Sequence, residues 1–211
     1  DPGPPADIVQ CCQVGIWIRD LFSHFGLAAF PKTSGSKGLQ IYVPLNSPVT
    51  YDQTKPFAKA TARLLEARHP GQIVSDMKKA LRVGKVFVDW SQNDDYKTTV
   101  CVYSLRAKDQ PTVATPVGWK EVENCLKKGD PALLSFTSDQ VLRRVQKHGD
   151  FFQPVLALEQ KLPDLEQLSL MEPTLADAVE GTAKRKTGVK ARAVPPARAR
   201  SPRPRKKVKA G

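Results

Sequence analysis

KTSGSKGLQIYVPL, residues 32–45, sets the architecture that the rest of the chain has to accommodate. Its first half crowds Gly, Ser and Thr between two lysines, the composition of a tight turn. Its second half alternates as a half-buried strand does. Just upstream, LAAF at 27–30 is short and apolar enough to be the partner strand, so the stretch reads as a β-hairpin. Further upstream, Ile8, Cys12, Ile16 and Phe22 or Phe25 recur at helical spacing. Asp7 is placed to cap that helix and Gly26 to stop it. Downstream, an amphipathic helix is expected over 55–68, ended by His69-Pro70-Gly71, and a short helix over 76–81. KVFVDW at 85–90 reads as a β-branched, aromatic strand carrying one acid, Asp89. A polar loop at 91–96 and a returning strand, TTVCVYSLRA at 98–107, follow. Helices are expected over 119–127 and 138–147. The class implied is α/β (α+β): a mixed, largely antiparallel sheet flanked by helices, truncated on its N-terminal side.

Charge divides the chain more sharply than hydrophobicity does. The formal net charge is +12, from 33 Lys and Arg against 21 Asp and Glu. Residues 182–211 hold twelve of the basic residues and none of the acidic ones, so the remainder is electrically neutral. Residues 1–160 are therefore expected to form the folded part and 161–181 a linker. The last thirty residues, almost without large apolar side chains, cannot offset their ordering entropy and are expected to be a disordered basic tail. Its cations Lys184, Arg185, Lys186, Arg203, Arg205, Lys206 and Lys207 suit the phosphates of duplex DNA, and it has no aromatic, Asn or Gln with which to read bases. Cys11, Cys12, Cys101 and Cys125 lack zinc-knuckle spacing and are expected to be buried, reduced thiols of a cytosolic protein. No apolar run approaches the ~18 residues that span a bilayer, so no membrane partner is expected. The opening DPGPP, without Met, suggests a fragment or a trimmed product.

Three features together suggest chemistry. Asp1 is an acid, Asp89 is an acid at the end of an apolar strand, and the 32–38 loop offers backbone N–H groups, hydroxyls and Lys37. An acid on a buried strand end is costly without a partner, and a divalent metal is one such partner. Carboxylates holding metals beside a phosphate cradle are what nucleotidyl transfer requires.

KTSGSKGLQIYVPL, VFVDWSQN, KTTVCVYSLRA and PTVATPVGW, continued by LKKGDPALLSF and HGDFFQPVL to about Leu156, resemble the polymerase domain of bacterial DNA ligase D and its stand-alone relatives, within the archaeo-eukaryotic primase superfamily. The resemblance implies that Asp1 is the second of two metal-binding aspartates separated by one residue and that Asp89 is the third metal-binding acid. Together they would hold Mn2+ or Mg2+ in a two-metal site. It implies that Ser34, Ser36 and Lys37 meet the triphosphate, with Gln40, Gln92, Arg106 and Lys108 lining the nucleotide site. Gln40 stands where the family usually has a histidine, and Lys108 where a second arginine is common. The implied activity is template-directed addition of ribo- or deoxyribonucleotides at broken DNA ends during non-homologous end joining. DNA ends, NTP or dNTP, Ku and a DNA ligase domain are the implied partners, in a bacterial, nucleoid-associated, cytoplasmic setting. As numbered from Asp1, the site is expected to be incomplete, with Asp1 frayed and its own ammonium competing with a metal. The alternative expectation is a non-catalytic DNA-end or Ku-binding module that kept the fold and lost the site.

If about six tail cations meet phosphates, log affinity for duplex DNA falls against log salt with a slope near −5. Deleting residues 182–211 is then expected to remove most of that slope, as read by fluorescence anisotropy across a salt series.

Overall fold

The computed structural model describes residues 1–169, all within the first of two units into which the chain divides, Asp1–Pro173 and Thr174–Gly211. Helix α1 (Ile8–His24) begins where the sequence requires. The Asp7 carboxylate accepts from Val9 N at 2.7 Å, and the Gln10 side chain accepts from Asp7 N at 2.8 Å, a reciprocal cap that satisfies two otherwise orphaned donors. Gly26, at φ +72°, ends it.

The hairpin forms, with its first strand three residues later than the apolar residues suggest. β1 is Phe30–Thr33 and β2 is Leu39–Tyr42, antiparallel, with Lys32 opposite Gln40. Leu27 cannot join the ladder because its N–H closes the end of α1 on Phe22 O at 2.9 Å. Lys32 and Thr33, expected in the turn, are strand residues instead. Helix α2 (Tyr51–Arg68) starts four residues before the expected 55, because Thr50 N donates to the Gln53 side chain at 3.1 Å and caps the helix there. It carries Pro56 inside it.

Beyond α2 the strands are short. β3 (Ile73–Val74) pairs in parallel with β4 (Val86–Phe87), and Pro2 bridges Val86 in the antiparallel sense. The expected helix at 76–81 is a single 3-10 turn at Lys79–Arg82, and a second 3-10 turn covers Trp90–Gln92. The expected strand over 98–107 shrinks to β5 (Leu105–Arg106), antiparallel to β6 (Thr112–Val113). Tyr103, at φ +63°, turns the backbone out of the extended region just before β5. The described strands thus make three two-stranded ladders. Helices α3 (Trp119–Lys128), α4 (Ser138–His148), α5 (Gln153–Ala157) and α6 (Leu165–Ser169) complete the described residues.

The core lies where α1 packs on α3 and where β3 and β4 meet α1 and α2. Cys12, Ala62, Ile73, Val122 and Cys125 are fully buried. Trp119 anchors α3 to the run into β1 through its indole N–H, 2.8 Å from Ala29 O. Burial pushes the Cys12 thiol well above its ordinary range, as expected of a structural cysteine. All four cysteines are free, but only three are buried: Cys101 is exposed, because the segment expected to be a strand around it runs along the surface. No helix among the described residues is long and apolar enough to cross a membrane.

Leu64, on the buried face of α2, is 1% exposed, whereas Leu156 is 79% exposed. Leu64→Ala is expected to lower the unfolding free energy by about 2–5 kcal/mol. Leu156→Ala should change it by less than about 0.5 kcal/mol. Urea titrations of the two variants separate these outcomes.

Candidate functional site

A cleft of about 770 Å³ opens between α1, β2, α2 and the backbone running from β4 to β5. Asp1, Ser34, Gln40, Asp89, Gln92 and Arg106, all expected at a site, line it. Ser36, Lys37 and Lys108 do not; all three are exposed, the first two at the outer tip of the hairpin and Lys108 beyond β5. Lys184, Arg185, Lys186, Arg203, Arg205, Lys206 and Lys207 lie outside the described residues.

Asp1 is not frayed. Its amino group donates to Phe87 O at 2.9 Å and its carbonyl accepts from Phe87 N at 2.7 Å, so it is held beside β4 like a strand residue. Burial pulls its α-ammonium below the ordinary range, opposed by Cys11 and then by Asp89. The carboxylate lies over the hairpin loop: a Cβ added to Gly38 would come within 3.0 Å of Asp1 Oδ1. Glycine at 38 therefore lets the acid approach the phosphate loop closely.

That loop is organised from within. Ser34 Oγ accepts from Ser36 N at 3.2 Å and Gly38 N at 3.1 Å, so the hydroxyl occupies part of the cradle that the sequence suggested for an anion. The Gly35 and Lys37 N–H groups have no acceptor among the described residues, and the Ser34 proton remains to donate. Gly35 is wedged against β5 and β6. Its carbonyl accepts from the Thr112 hydroxyl at 2.6 Å, and an added Cβ would meet Ala114 N at 2.7 Å and Arg106 Cγ at 2.8 Å. The Arg106 stem thus packs on the loop, which is why an arginine some seventy residues away in sequence reaches this cleft.

Asp89 is a capping residue as well as a cleft residue. Its Oδ1 accepts from Ser91 N at 3.1 Å and Ser91 Oγ at 2.5 Å, and its Oδ2 from Gln92 Nε2 at 3.0 Å. A strand-end acid needs no metal merely to be satisfied here, because the 3-10 turn that follows provides its donors. Gln92 also faces Thr99, 3.5 Å away. Among the described residues the Gln40 side-chain oxygen is buried without a partner, and so is the Thr61 hydroxyl on the cleft face of α2. Lys55 pairs with Asp94, and Lys59 lies over Trp90 at 4.7 Å; both contacts pin α2 to the turn that carries Asp89.

Thr61 escaped sequence reasoning because only the rotation of α2, which places Thr54, Ala58 and Thr61 along one face, brings it to the cleft. Lys32 escaped because it reads as part of the turn; it is fully buried in β1. Among the described residues no three His, Cys, Asp or Glu side chains converge as a metal cluster.

Gly35→Ala is expected to cost at least about 1–2 kcal/mol from its left-handed backbone alone, at φ +65°. The collisions with Ala114 and Arg106 add to that. Thermal unfolding compared with Gly26→Ala, which has a positive φ but open space around it, isolates the steric part.

Comparison with known proteins gives a consistent result. Residues 1–152 match the family described as LigD, primase-polymerase domain. The multifunctional non-homologous end joining protein LigD of Mycobacterium bovis is 45% identical over 153 residues, covering 72% of this chain and 19% of that protein. The bifunctional LigD of Bacillus subtilis is 34% identical over 158 residues, covering 72% of this chain and 25% of that protein. In three dimensions the chain is similar to the polymerase domain of Mycobacterium tuberculosis ligase D solved in complex with DNA. The TM-score is 0.69 at 44% identity, over 76% of this chain and 54% of that one. The chain therefore spans 19% and 25% of the length of these two relatives.

Proposed function

This chain belongs to the LigD primase-polymerase family, and from that premise we propose that it contributes the nucleotide-binding half of a DNA repair polymerase. The proposed reaction is metal-dependent, template-directed addition of nucleotides to DNA ends in non-homologous end joining. The observation that carries the reading is the cleft itself, where Asp1, Ser34, Gln40, Asp89, Gln92 and Arg106 converge from separate parts of the chain.

The residues fit a divalent metal. Asp1 and Asp89 present hard carboxylate oxygens to one cleft, the donor type preferred by Mg2+ and Mn2+. Such ions are commonly held by one or two carboxylates plus substrate phosphates. When bound, the metal would lower the pKa of an attacking hydroxyl and stabilise charge on the departing pyrophosphate. The chain's own side chains do the rest. Ser34, the loop residue that lines the cleft and whose hydroxyl proton is free to donate, orients a phosphate. Arg106, braced on Gly35, supplies fixed positive charge where negative charge develops. Gln92, held by Asp89, turns its remaining amide capacity into the cleft. Gln40 donates no charge, and its orphaned oxygen suits a hydroxyl or amino donor of a nucleotide better than a phosphate. Lys37 and Ser36, at the exposed tip, are assigned to the outer edge of the triphosphate or to DNA.

DNA ends, Ku and a DNA ligase domain are the proposed macromolecular partners, and residues 182–211 the proposed sequence-independent DNA contact; of the linker expected at 161–181, the first part is folded instead, because α6 packs on α2 and buries Leu168 in the core. A non-catalytic binding module is the competing reading. It is favoured by the three donors that already satisfy Asp89 within its own turn.

The test is ribonucleotide incorporation on a primed, gapped duplex in Mn2+, with parallel titration of Mn2+ and ATP. Asp89→Asn is expected to lower incorporation by at least about 100-fold and to abolish the coupling between metal and nucleotide binding. Independent binding of ATP, unaffected by Mn2+ or by the substitution, favours the binding module.

A further inference from the structure

Lys32 is the one described lysine that is completely buried, and nothing in the site described so far uses it. Its Nζ donates to Val100 O at 2.9 Å and lies 5.7 Å from the centre of the Tyr42 ring. Arg106 is close enough to act on it electrostatically, and Cys101 and the Tyr42 phenol are the other titratable groups facing it. Val100, Tyr42 and Arg106 all line the cleft. Among the described residues no carboxylate pairs with Lys32 or with Arg106. Arg106 therefore stands in the cleft wall with a second cation, Lys32, behind it and without exposed surface, while the chain supplies Lys32 only a carbonyl and an aromatic face in return.

A buried ammonium is ordinarily paired, neutralised or replaced by an apolar residue, because its desolvation costs several kcal/mol. Its presence here needs a compensating anion, and the cleft that Arg106 enters is the route by which one reaches it. We propose that Lys32 is a positioning residue for a polyphosphate: from behind the wall it holds Val100 and, with Arg106, creates the positive potential that draws a triphosphate onto the Ser34 loop. This deepens the nucleotide-binding reading above and rests on it for the identity of the ligand. The strand register supports it, since Lys32 lies opposite Gln40 and two residues before Ser34. The strand carries the charge and the first residue of the loop that follows it carries the hydroxyl, two residues apart.

The charge has a titratable signature. Burial pulls the Lys32 ammonium down to about 8, and Arg106 adds to the effect while Cys101 opposes it. The folded-state pKa lies below the ordinary lysine value, so the unfolded chain binds more protons between about pH 8 and 10.5. Stability gains from Lys32 deprotonation as pH rises through that window. Polyphosphate binding should show the opposite trend, weakening as pH rises through 8, because it requires the protonated form.

The measurement is isothermal titration of inorganic tripolyphosphate, and separately of ATP with Mn2+, into the full chain and its Lys32→Met variant from pH 7 to 9.5. Lys120→Met, on the exposed face of α3, controls for a generic loss of charge. At pH 7 Lys32→Met is expected to bind tripolyphosphate at least tenfold more weakly, with a melting temperature equal to or above that of the unaltered chain. The unaltered chain should lose affinity across pH 8 more steeply than the variant. The α-amino group of Asp1 and the ligand's own ionisation are common to both and cancel. Equal affinity in the two chains, or parallel pH profiles, overturns the proposal. So does a melting temperature lowered in step with affinity, which marks a merely structural lysine; Lys32→Gln repeats the comparison if the Met variant does not fold. Tripolyphosphate binding that depends on Lys32 without nucleotide incorporation would sink the polymerase reading and leave this one standing. Incorporation indifferent to Lys32→Met would do the reverse.

Discussion

Backbone hydrogen bonds between β1 and the segment around 112–117 hold the site together. Thr33 N donates to Thr115 O at 2.8 Å, Val117 N donates to Pro31 O at 3.1 Å, and Lys32 bridges Pro116. The Thr112 hydroxyl reaches Gly35 O, and Thr115 N reaches the Thr33 hydroxyl at 3.1 Å. An isolated two-stranded hairpin is at best marginally stable in water. Here its edge is clamped by a third stretch of chain some eighty residues later, and that clamp carries β5, and with it Arg106, against the loop. Loosening the clamp would release Arg106, free the Gly35 turn and open the wall behind which Lys32 is buried.

The second support is the strip formed by Asp1, Pro2 and the two strands beside them. Asp1 exchanges two hydrogen bonds with Phe87, and Asp89 follows two residues later on the same run. The two acids are thereby brought to one cleft by backbone pairing, with no direct bond between their side chains. Asp89 is then fixed by the turn it caps, and that turn by Lys55, Lys59 and the Trp90 indole, which donates to Ser75 O at 3.0 Å. Rigid placement of acids that do not touch one another is the condition under which a metal and a triphosphate could bridge them without reorganisation.

Buried and half-buried polar groups are treated unevenly across the fold, and the unevenness separates framework from function. Glu121 is held below the ordinary carboxylate range by Arg144 and the Gly118 N–H, against the opposing effect of burial. Arg144 in turn covers Phe136. That cluster is self-sufficient and belongs to the framework. Lys32, Gln40 Oε1 and Thr61 Oγ1 are buried around the cleft with too few partners. Unsatisfied buried polar groups cost stability; Arg82 Nε is another one and lies away from the cleft, but the grouping of these three around one concavity fits a surface that completes its bonding with a ligand.

Much of this was legible in the residues. The Asp7 cap, the Gly26 stop, α3, α4 and the hairpin follow from local rules, because caps, glycine and apolar spacing act within one turn of backbone. The family resemblance rests on ordered motifs and needs no coordinates, and six of the nine expected site residues within the described part of the chain do meet in the cleft. What sequence could not supply was long-range in origin. The strand expected over 98–107 breaks at Tyr103, because its N–H is claimed by Ala114, from the far side of the β5–β6 turn. The exposure of Cys101, the donors that satisfy Asp89 and the packing of Arg106 on Gly35 likewise depend on neighbours distant in the chain. Lys32 is the clearest case. Its letter sits in a polar turn motif and reads as solvated, and only the closure of residues 112–117 and 97–101 around β1 makes it a buried charge. Local chemistry dictated the elements; burial, which is decided by everything packed around a residue, assigned their charges a purpose.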